Sequence, residues 1–330
     1  MNSSLLLTGA TGFVGRNILL RAHAEGVPVL APVRSQEKLR ATLAEDGLPA
    51  GAASPLSTDP EGWPSSAAPT RAVLSAGVLF ARTREEYHSV NVDWTLRVLR
   101  ALPDSCRVVL LSSQSAGGPT PDGLEARRES DADQPITWYG ESKLALERAV
   151  RAEFPHRHIT VLRPPMILGA RDAATLPLFK MARSPLRTKP GLKKKLFSFV
   201  GVGDVVEAVF AAFETGEPGP FYLGSREPVS DLRLIAAAAK AAGGRGVTLR
   251  VPLPLVRLMA AAVDAVPAWR RATPSLTRDR AREIWPDRWV VDASAFRKAT
   301  GWEARVSLEE ALESAFRHFE STGQLTPISR

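Results

Sequence analysis

Short apolar runs alternate with amphipathic stretches through the first half of the chain, the pattern of a parallel sheet joined by crossover helices. Leu5–Leu7 is the first strand, and after a glycine loop a helix runs from about Phe13 to Glu25. Val29–Val33 is the second strand, weakened by Pro32, which removes a ladder donor. Further strands are predicted at Arg71–Ser75, Val108–Leu111 and Ile159–Leu162, with helices at about Tyr87–Leu102 and Trp138–Ala152. The stretch Gly47–Thr70 is rich in Pro, Gly, Ser and Ala and shows no helical period. There a crossover is shortened or a loop replaces it.

After Arg163 the texture changes. A basic, Pro-containing segment (Ser184–Lys195) leads to a strand at Leu196–Val200 and a helix starting near Asp204. Two alanine-rich stretches follow, then a helix over Ser307–Ser321, whose start is marked by Ser307 with Glu310 as a capping box. No internal repeat is present.

The 330 residues, 44% hydrophobic and 24% charged, suit one large α/β unit or a domain plus a lobe. Leu5–Leu7 has no basic region before it and passes straight into glycines, so it does not read as a secretory signal. Val251–Trp269 is apolar but broken by Pro252, Pro254, Arg257 and Asp264, which points to a helix buried on one side and not to membrane insertion. The single cysteine, Cys106, excludes an internal disulfide framework and fits a reducing, cytoplasmic setting. No histidine pair stands at helical metal spacing, so no metal is expected. The net charge is +8 with a pI near 10.0. Nucleic-acid binding would interleave cations with stacking aromatics or supply a reading helix. Here the arginines are scattered, and Lys193-Lys194-Lys195 is the only dense run. The charge therefore suits an anionic cofactor or small-molecule substrate better than a nucleic acid.

Thr8-Gly9-Ala10-Thr11-Gly12-Phe13-Val14-Gly15 places three glycines where a strand ends and a helix opens. Glycines there allow a tight turn and close backbone approach to a dinucleotide pyrophosphate, which the positive end of the helix faces. The second strand ends in Val33-Arg34-Ser35, without the acid that would bind the ribose hydroxyls of NAD. Arg34 is able to stack on adenine and fork onto a phosphate, with Lys38 one helical turn further on. NADP(H) is favoured over NAD(H).

Tyr139 and Lys143 stand four apart, on one helix face. A phenol of ordinary pKa is a poor acid–base group at neutral pH, and a nearby ammonium with the positive nicotinamide would lower it. The strand Val108–Leu111 delivers Ser112-Ser113-Gln114-Ser115 to the carboxyl edge of the sheet, where such folds bind ligands. A serine hydroxyl there would hold a substrate carbonyl, although turn or capping roles suit at least two of these serines.

Together these pieces resemble the extended short-chain dehydrogenase/reductase family, also called the NAD-dependent epimerase/dehydratase family, over nearly the whole chain. Tyr87-His88-Ser89-Val90-Asn91-Val92-Asp93-Trp94-Thr95 resembles its Asn-Val-x-Gly-Thr helix, and Leu162–Gly169 its Arg-Pro segment. Phe199–Val206 is similar to its Val-x-Asp-Val helix start, and Thr300-Gly301-Trp302 to its late Gly-Trp. The resemblance implies a Rossmann doubly wound α/β sheet with a smaller, mainly carboxy-terminal substrate lobe. The NADP-binding domain would take residues 1–165 and about 196–225, and the lobe about 166–195 and 226–330. It implies that Tyr139 moves the proton, that Lys143 holds the nicotinamide ribose and lowers the tyrosine pKa, and that Ser113 orients the carbonyl, with Ser112 the second choice. Asn91 would shape the active-site helix. Ala76 and Gly77 would leave room beside the cofactor, and Pro164, Pro165 and Met166 would pass its carboxamide. A homodimer through the Asn91 and Tyr139 helices is the family habit. Trp94 departs from the pattern by replacing a glycine, and Ser54-Pro55-Leu56 stands where an adenine-contacting acid is usual.

Pro165–Ala170 is apolar, as in the branch of the family that reduces ketones of flavonoid, steroid or secondary-metabolite type. The reaction implied is NADPH-dependent reduction of a ketone, or its reverse. The alternative is a nucleotide-sugar epimerase or reductase, with Arg163, Arg171, Lys189 and Lys193–Lys195 meeting the diphosphate. A non-catalytic cofactor-sensing regulator is disfavoured because Tyr139 and Lys143 are both present. Pro252, Leu253, Leu255, Met259 and Trp269 are candidates for an apolar site, with core packing the preferred assignment for most of them.

Overall fold

The computed structural model describes residues 4–64, 68–266, 268–269 and 276–326. Residues 65–67 of the Gly47–Thr70 stretch and residue 267 of the Val251–Trp269 stretch lie outside these. In chain order the first strands are β1 (Leu5–Thr8), β2 (Val29–Pro32), β3 (Ala53–Leu56), β4 (Arg71–Leu74), β5 (Arg107–Leu111) and β6 (Ile159–Arg163). They are followed by β7 (Met166–Leu168), β8 (Leu186–Pro190), β9 (Leu196–Phe197), β10 (Phe199–Gly201) and β11 (Phe221–Tyr222). Seven of them form one parallel sheet in the order β11-β6-β5-β4-β1-β2-β3.

Strand residues alternate between two cores because successive side chains leave opposite faces. Leu5, Leu7, Val73 and Val109 pack under α1 (Phe13–Ala24) and α2 (Gln36–Glu45). Leu6, Ala72, Leu74, Val108 and Leu110 pack on the other face, with residues of the helices on either side of β5. Both faces being covered explains why the strands read as continuous apolar runs. From β1 the sheet grows one way to β2 and β3 and the other way to β4, β5 and β6, so the strand order reverses between β1 and β4. A crevice opens at the carboxyl ends of strands beside such a reversal.

Gly47–Thr70 holds both of the possibilities open from the sequence. The crossover into β3 is complete, with α2 before it. Between β3 and β4 the described residues hold only a single turn of helix, Pro60–Gly62. Trp94 explains itself here: its indole N–H donates to the Thr58 carbonyl (2.8 Å), pinning that connection. Pro32 is accommodated because it is the last residue of β2.

The helix predicted over Tyr87–Leu102 is three pieces: α3 (Arg84–His88), a π-turn at Ser89–Asp93 and α4 (Trp94–Ala101). After β5 come α5 (Gln114–Gly117) and α6 (Trp138–Glu153), then α7 (Leu176–Arg183), α8 (Val202–Ala212), α9 (Asp231–Ala241) and α10 (Leu253–Ala265). The strand expected at Leu196–Val200 is broken at Ser198. β9 joins β12 (Val229–Ser230) and β14 (Arg288–Trp289), whereas β10 pairs with β7. The buried Ser198 hydroxyl accepts the Val291 N–H (3.1 Å), which turns the chain from one sheet to the other. β13 (Val247–Val251) pairs with β8.

Two of the family-like motifs prove to be structural. The Trp302 indole N–H donates to the Asp204 carbonyl (3.0 Å), and the Asp204 carboxylate accepts the N–H groups of Arg305 (3.0 Å) and Val306 (2.9 Å). Gly301 ends its helix at φ +73°, a left-handed conformation glycine adopts freely. The helix Leu308–Ser321 begins with the full Ser307/Glu310 capping box. On α10, Val256, Ala260 and Val263 are buried, but Leu255 and Met259 are about half exposed, as is Trp269 beyond the helix, and Pro252 before it is exposed, so the core assignment for these four is corrected. No helix among the described residues is long and apolar enough to cross a membrane.

Candidate active site

The glycine loop is shaped by its own backbone. Gly9 has φ +73° and its carbonyl accepts the Gly12 N–H (2.8 Å). A Cβ on Gly15 would stand 2.1 Å from the Gly9 carbonyl oxygen, so the close helix–strand approach admits glycine alone. Gly12 caps α1 without any side chain, which leaves the first helical N–H groups free for an anion. This cradle fits a dinucleotide pyrophosphate. Thr8 does not face it: the hydroxyl accepts the Ala76 N–H (3.1 Å) and the carbonyl accepts the Ser75 hydroxyl (2.6 Å), tying β1 to β4. Thr11 and Val14 are half-buried on the loop and first turn, and Phe13 reaches the catalytic cavity described below. Arg34 and Lys38 are exposed, Arg34 just past β2 and Lys38 in the first turn of α2. No ion pair engages either among the described residues.

Gly77 lies where β4 runs out. A Cβ there would stand 3.1 Å from Asn91 Oδ1 and 3.4 Å from Lys143 Nζ, which places all three together. Asn91 is fully buried in the π-turn. Its Oδ1 accepts the Val78 N–H (2.8 Å), and its Nδ2 donates to the Val78 carbonyl (3.3 Å) and to Ser142 Oγ (3.0 Å). It clamps the loop after β4 to α6. Lys143 donates to the Leu111 carbonyl (3.0 Å), and burial lowers its pKa to about 8 against the opposing pull of Glu147.

Tyr139 stands one turn before Lys143, its ring 6.2 Å from that of Tyr87. Burial pushes its phenol above the ordinary value, while a hydrogen bond with Ser113 and the positive charge of Arg280 act to lower it. Arg280 is the cation that covers the ring, its guanidinium carbon 5.3 Å from the centroid. The two adjacent serines divide: Ser113 meets Tyr139, whereas the Ser112 hydroxyl donates to Glu147. Ser112 is thereby spent as a second choice for the carbonyl. Glu147 also pairs with Arg163 (2.6 Å), which forks onto Asp133 and is fully buried.

The helix Arg278–Ala281 and the turn after it, some 140 positions later in the chain, complete the site. Asp279 accepts the Trp138 N–H (3.2 Å) at the start of α6. Glu283 Oε1 accepts from Ser115 Oγ (3.1 Å), Thr137 Oγ1 (3.1 Å) and Arg280 Nη1 (3.0 Å). Sequence reasoning missed Arg280 and Glu283 because they sit in an Ala/Arg-rich stretch that reads as a solvated face. Asp172 was missed too; burial raises its carboxyl to about 6, opposed by the Ala174 N–H and Thr175.

These groups meet around a cavity of about 450 Å³, within the range of small-molecule sites. Ser113, Tyr139, Gln114, Asp172, Arg280 and Glu283 supply its polar wall. The apolar wall is Phe13, Leu79, Pro164, Pro165, Met166 and Trp289, with others of the same kind. A larger cleft of about 720 Å³, between Glu125 and Arg288, contains none of the catalytic candidates. Among the described residues no group of three His, Cys, Asp or Glu side chains is placed to hold a metal.

Several solved structures share this fold. The UDP-glucose 4-epimerase of Thermotoga maritima superposes with a TM-score of 0.76 at 19% identity, covering 97% of this chain and 99% of its own. A UDP-glucuronic acid 4-epimerase from Bacillus cereus gives 0.73 at 18% identity, covering 97% and 99%. Among curated sequences, a 4-hydroxy-2-methyl-3-oxo-4-farnesyl-3,4-dihydroquinoline-1-oxide ketoreductase of Stigmatella aurantiaca is 27% identical over 96% of this chain and 97% of its own. A ceramide reductase of Caulobacter vibrioides is 25% identical over 97% and 95%. The sequence profile of the NAD dependent epimerase/dehydratase family matches residues 5–224. The chain belongs to that family, the extended short-chain dehydrogenases/reductases, and is an NAD(P)-dependent oxidoreductase.

Proposed function

We propose that the enzyme interconverts a ketone and a secondary alcohol on a largely apolar substrate, using NADP(H). The bound nicotinamide supplies or accepts the hydride. Ser113 donates a hydrogen bond to the carbonyl oxygen and fixes it beside Tyr139, whose phenol delivers the proton in reduction and, as phenolate, removes it in oxidation. Lys143, held by the Leu111 carbonyl, binds the nicotinamide ribose beside Gly77 and adds positive charge when the phenolate forms. Asn91 positions α6 and touches no reacting atom. Residues 1–165 and about 196–225 bind the dinucleotide, and about 166–195 and 226–330 form the substrate lobe, from which Arg280 and Glu283 reach the site. A homodimer through the helical segments that carry Asn91 and Tyr139 belongs to the same reading.

One observation carries the choice of substrate class. Of the cations that would meet a nucleotide-sugar diphosphate, all but Lys193 and Lys194, which are exposed, are already committed inside the protein. Arg163 is held by Glu147 and Asp133, Arg171 by Asp46 (2.5 Å) and Lys189 by Asp231 (2.8 Å), while Lys195 donates to the Trp285 carbonyl (3.2 Å). The two relatives named as reductases of a farnesyl quinoline oxide and of ceramide agree with an apolar ketone. NADPH oxidation measured with bulky ketones, set against epimerisation of UDP-sugars followed chromatographically, tests the assignment; turnover of UDP-sugars alone would overturn it. The cofactor preference rests on Arg34 and Lys38. Fluorescence titration should show tighter binding of NADPH than NADH, and Arg34→Glu should remove the difference.

A further inference from the structure

We infer that the substrate carries a second acceptor oxygen close to its reacting carbonyl, taken up by Gln114 Nε2 and Arg280 Nε. The inference rests on the ketone-reductase reading and adds the chemical class, a ketone with an oxygen function two carbons away, as in a β-keto ester, β-keto amide or β-hydroxy ketone.

A buried donor left without an acceptor is costly, so proteins leave few of them, and an orphan on a cavity wall marks a place where a ligand supplies the partner. Among the described residues four buried side-chain atoms lack a hydrogen bond: Gln114 Nε2, Glu141 Oε2, Asp231 Oδ2 and Arg280 Nε. Two of these face a counter-charge, Glu141 from Arg84 (2.9 Å) and Asp231 from Lys189 (2.8 Å). The remaining two are both donors, and both side chains line the cavity that holds Ser113 and Tyr139.

Both residues adjoin the pair that would hold the carbonyl, Gln114 next to Ser113 in the chain and Arg280 over the Tyr139 ring. Gln114 directly follows Ser113, is 4% exposed, and is anchored by its own N–H on the Pro164 carbonyl (2.9 Å). Arg280 is held in place, with its Nη atoms on Glu283 (3.0 Å each) and its guanidinium over the rings of Tyr139 (5.3 Å) and Phe80 (5.5 Å). An oxygen that meets these donors while the ketone sits between Ser113 and Tyr139 must be near the carbonyl in the same molecule. A plain hydrocarbon ketone would bury the same wall and leave both donors unpaired, and sites built to hydrogen-bond a substrate discriminate strongly against analogues that lack the group.

The test uses two ketones of equal length, ethyl acetoacetate and methyl pentyl ketone, with NADPH oxidation followed in the full chain. The wild type should favour the keto ester in kcat/KM. Gln114→Met and Arg280→Lys should each lower the ratio of the two kcat/KM values roughly tenfold, with NADPH fluorescence titration reporting that each variant is folded. Arg280→Lys keeps a cation over Tyr139, so it decides the matter if Gln114→Met fails to bind NADPH. Turnover of both ketones with a ratio unchanged in the folded variants overturns the second-oxygen inference alone. A wild type that binds NADPH but reduces neither ketone overturns the ketone-reductase reading, and the inference falls with it.

Discussion

Replacing Arg280 by Met should move the pH dependence of turnover upward. Arg280 places a positive charge 5.3 Å from the centroid of the Tyr139 ring. At that separation a unit charge pair is worth roughly 3 kcal/mol with an effective dielectric of about 20, and roughly 0.8 kcal/mol in bulk water. Glu283, paired to Arg280 at 3.0 Å, cancels part of the field, so the net stabilisation falls below the larger of these figures and keeps its sign. The sign follows from the charged form: a cation stabilises the phenolate, so its removal raises the Tyr139 pKa. Alcohol oxidation needs the phenolate, and its rise with pH should begin at higher pH in Arg280→Met. Ketone reduction needs the phenol, and its decline should move the same way. The variant remains folded because Glu283 keeps the hydroxyls of Ser115 and Thr137 as partners. The assay is kcat/KM for oxidation across pH, at saturating cofactor, for the wild type, Arg280→Met and Arg280→Lys. A limb that stays in place or moves down in Arg280→Met would refute the coupling, and Arg280→Lys should resemble the wild type.

Tyr139→Phe should lower kcat by roughly a hundred- to ten-thousandfold while NADPH titration shows unchanged affinity; retained turnover would remove Tyr139 from the proton step. Gly15→Ala puts a methyl 2.1 Å from the Gly9 carbonyl oxygen, so NADPH affinity should fall roughly tenfold or more as the cradle opens, and equal affinity would disprove the proposed cradle. Asp204→Ala leaves the N–H groups of Arg305 and Val306 without their acceptor. At about 1–3 kcal/mol each, urea unfolding should show a loss of about 2–6 kcal/mol, and a change below about 0.5 kcal/mol would remove Asp204 as the anchor of the carboxy-terminal segment.

Much of the fold was legible because both faces of the sheet are covered. Strands such as Val108–Leu111 then read as unbroken apolar runs, and the helices between them show their amphipathic period. β3 escaped notice: as an edge strand it carries Ser54 and Pro55, both exposed, and nothing in Ala53–Leu56 distinguishes it from a loop. Leu196–Val200 read as one strand because periodicity along five residues is blind to a switch of partner at Ser198. Met259 and Leu255 read as core because hydropathy records what a side chain prefers, not what lies opposite it.

Within the site, the glycines, Ser113, Tyr139 and Lys143 were readable because each lies in a local pattern, a turn after a strand or a four-residue helical spacing. Those patterns are imposed by the backbone within a few residues, so the sequence alone determined that a dinucleotide cradle and a Tyr/Lys pair share one sheet edge. Which serine serves the tyrosine was decided by tertiary structure, where Glu147 claims Ser112 and leaves Ser113. That Arg163, Arg171 and Lys189 are paired with carboxylates was also decided there, by partners 16 to 125 residues away. Arg280 and Glu283 belong to the same class. Their chemistry exists only because a distant helix packs on the start of α6, and the free energy of a buried charge depends on what surrounds it in space, which no spacing along the chain records.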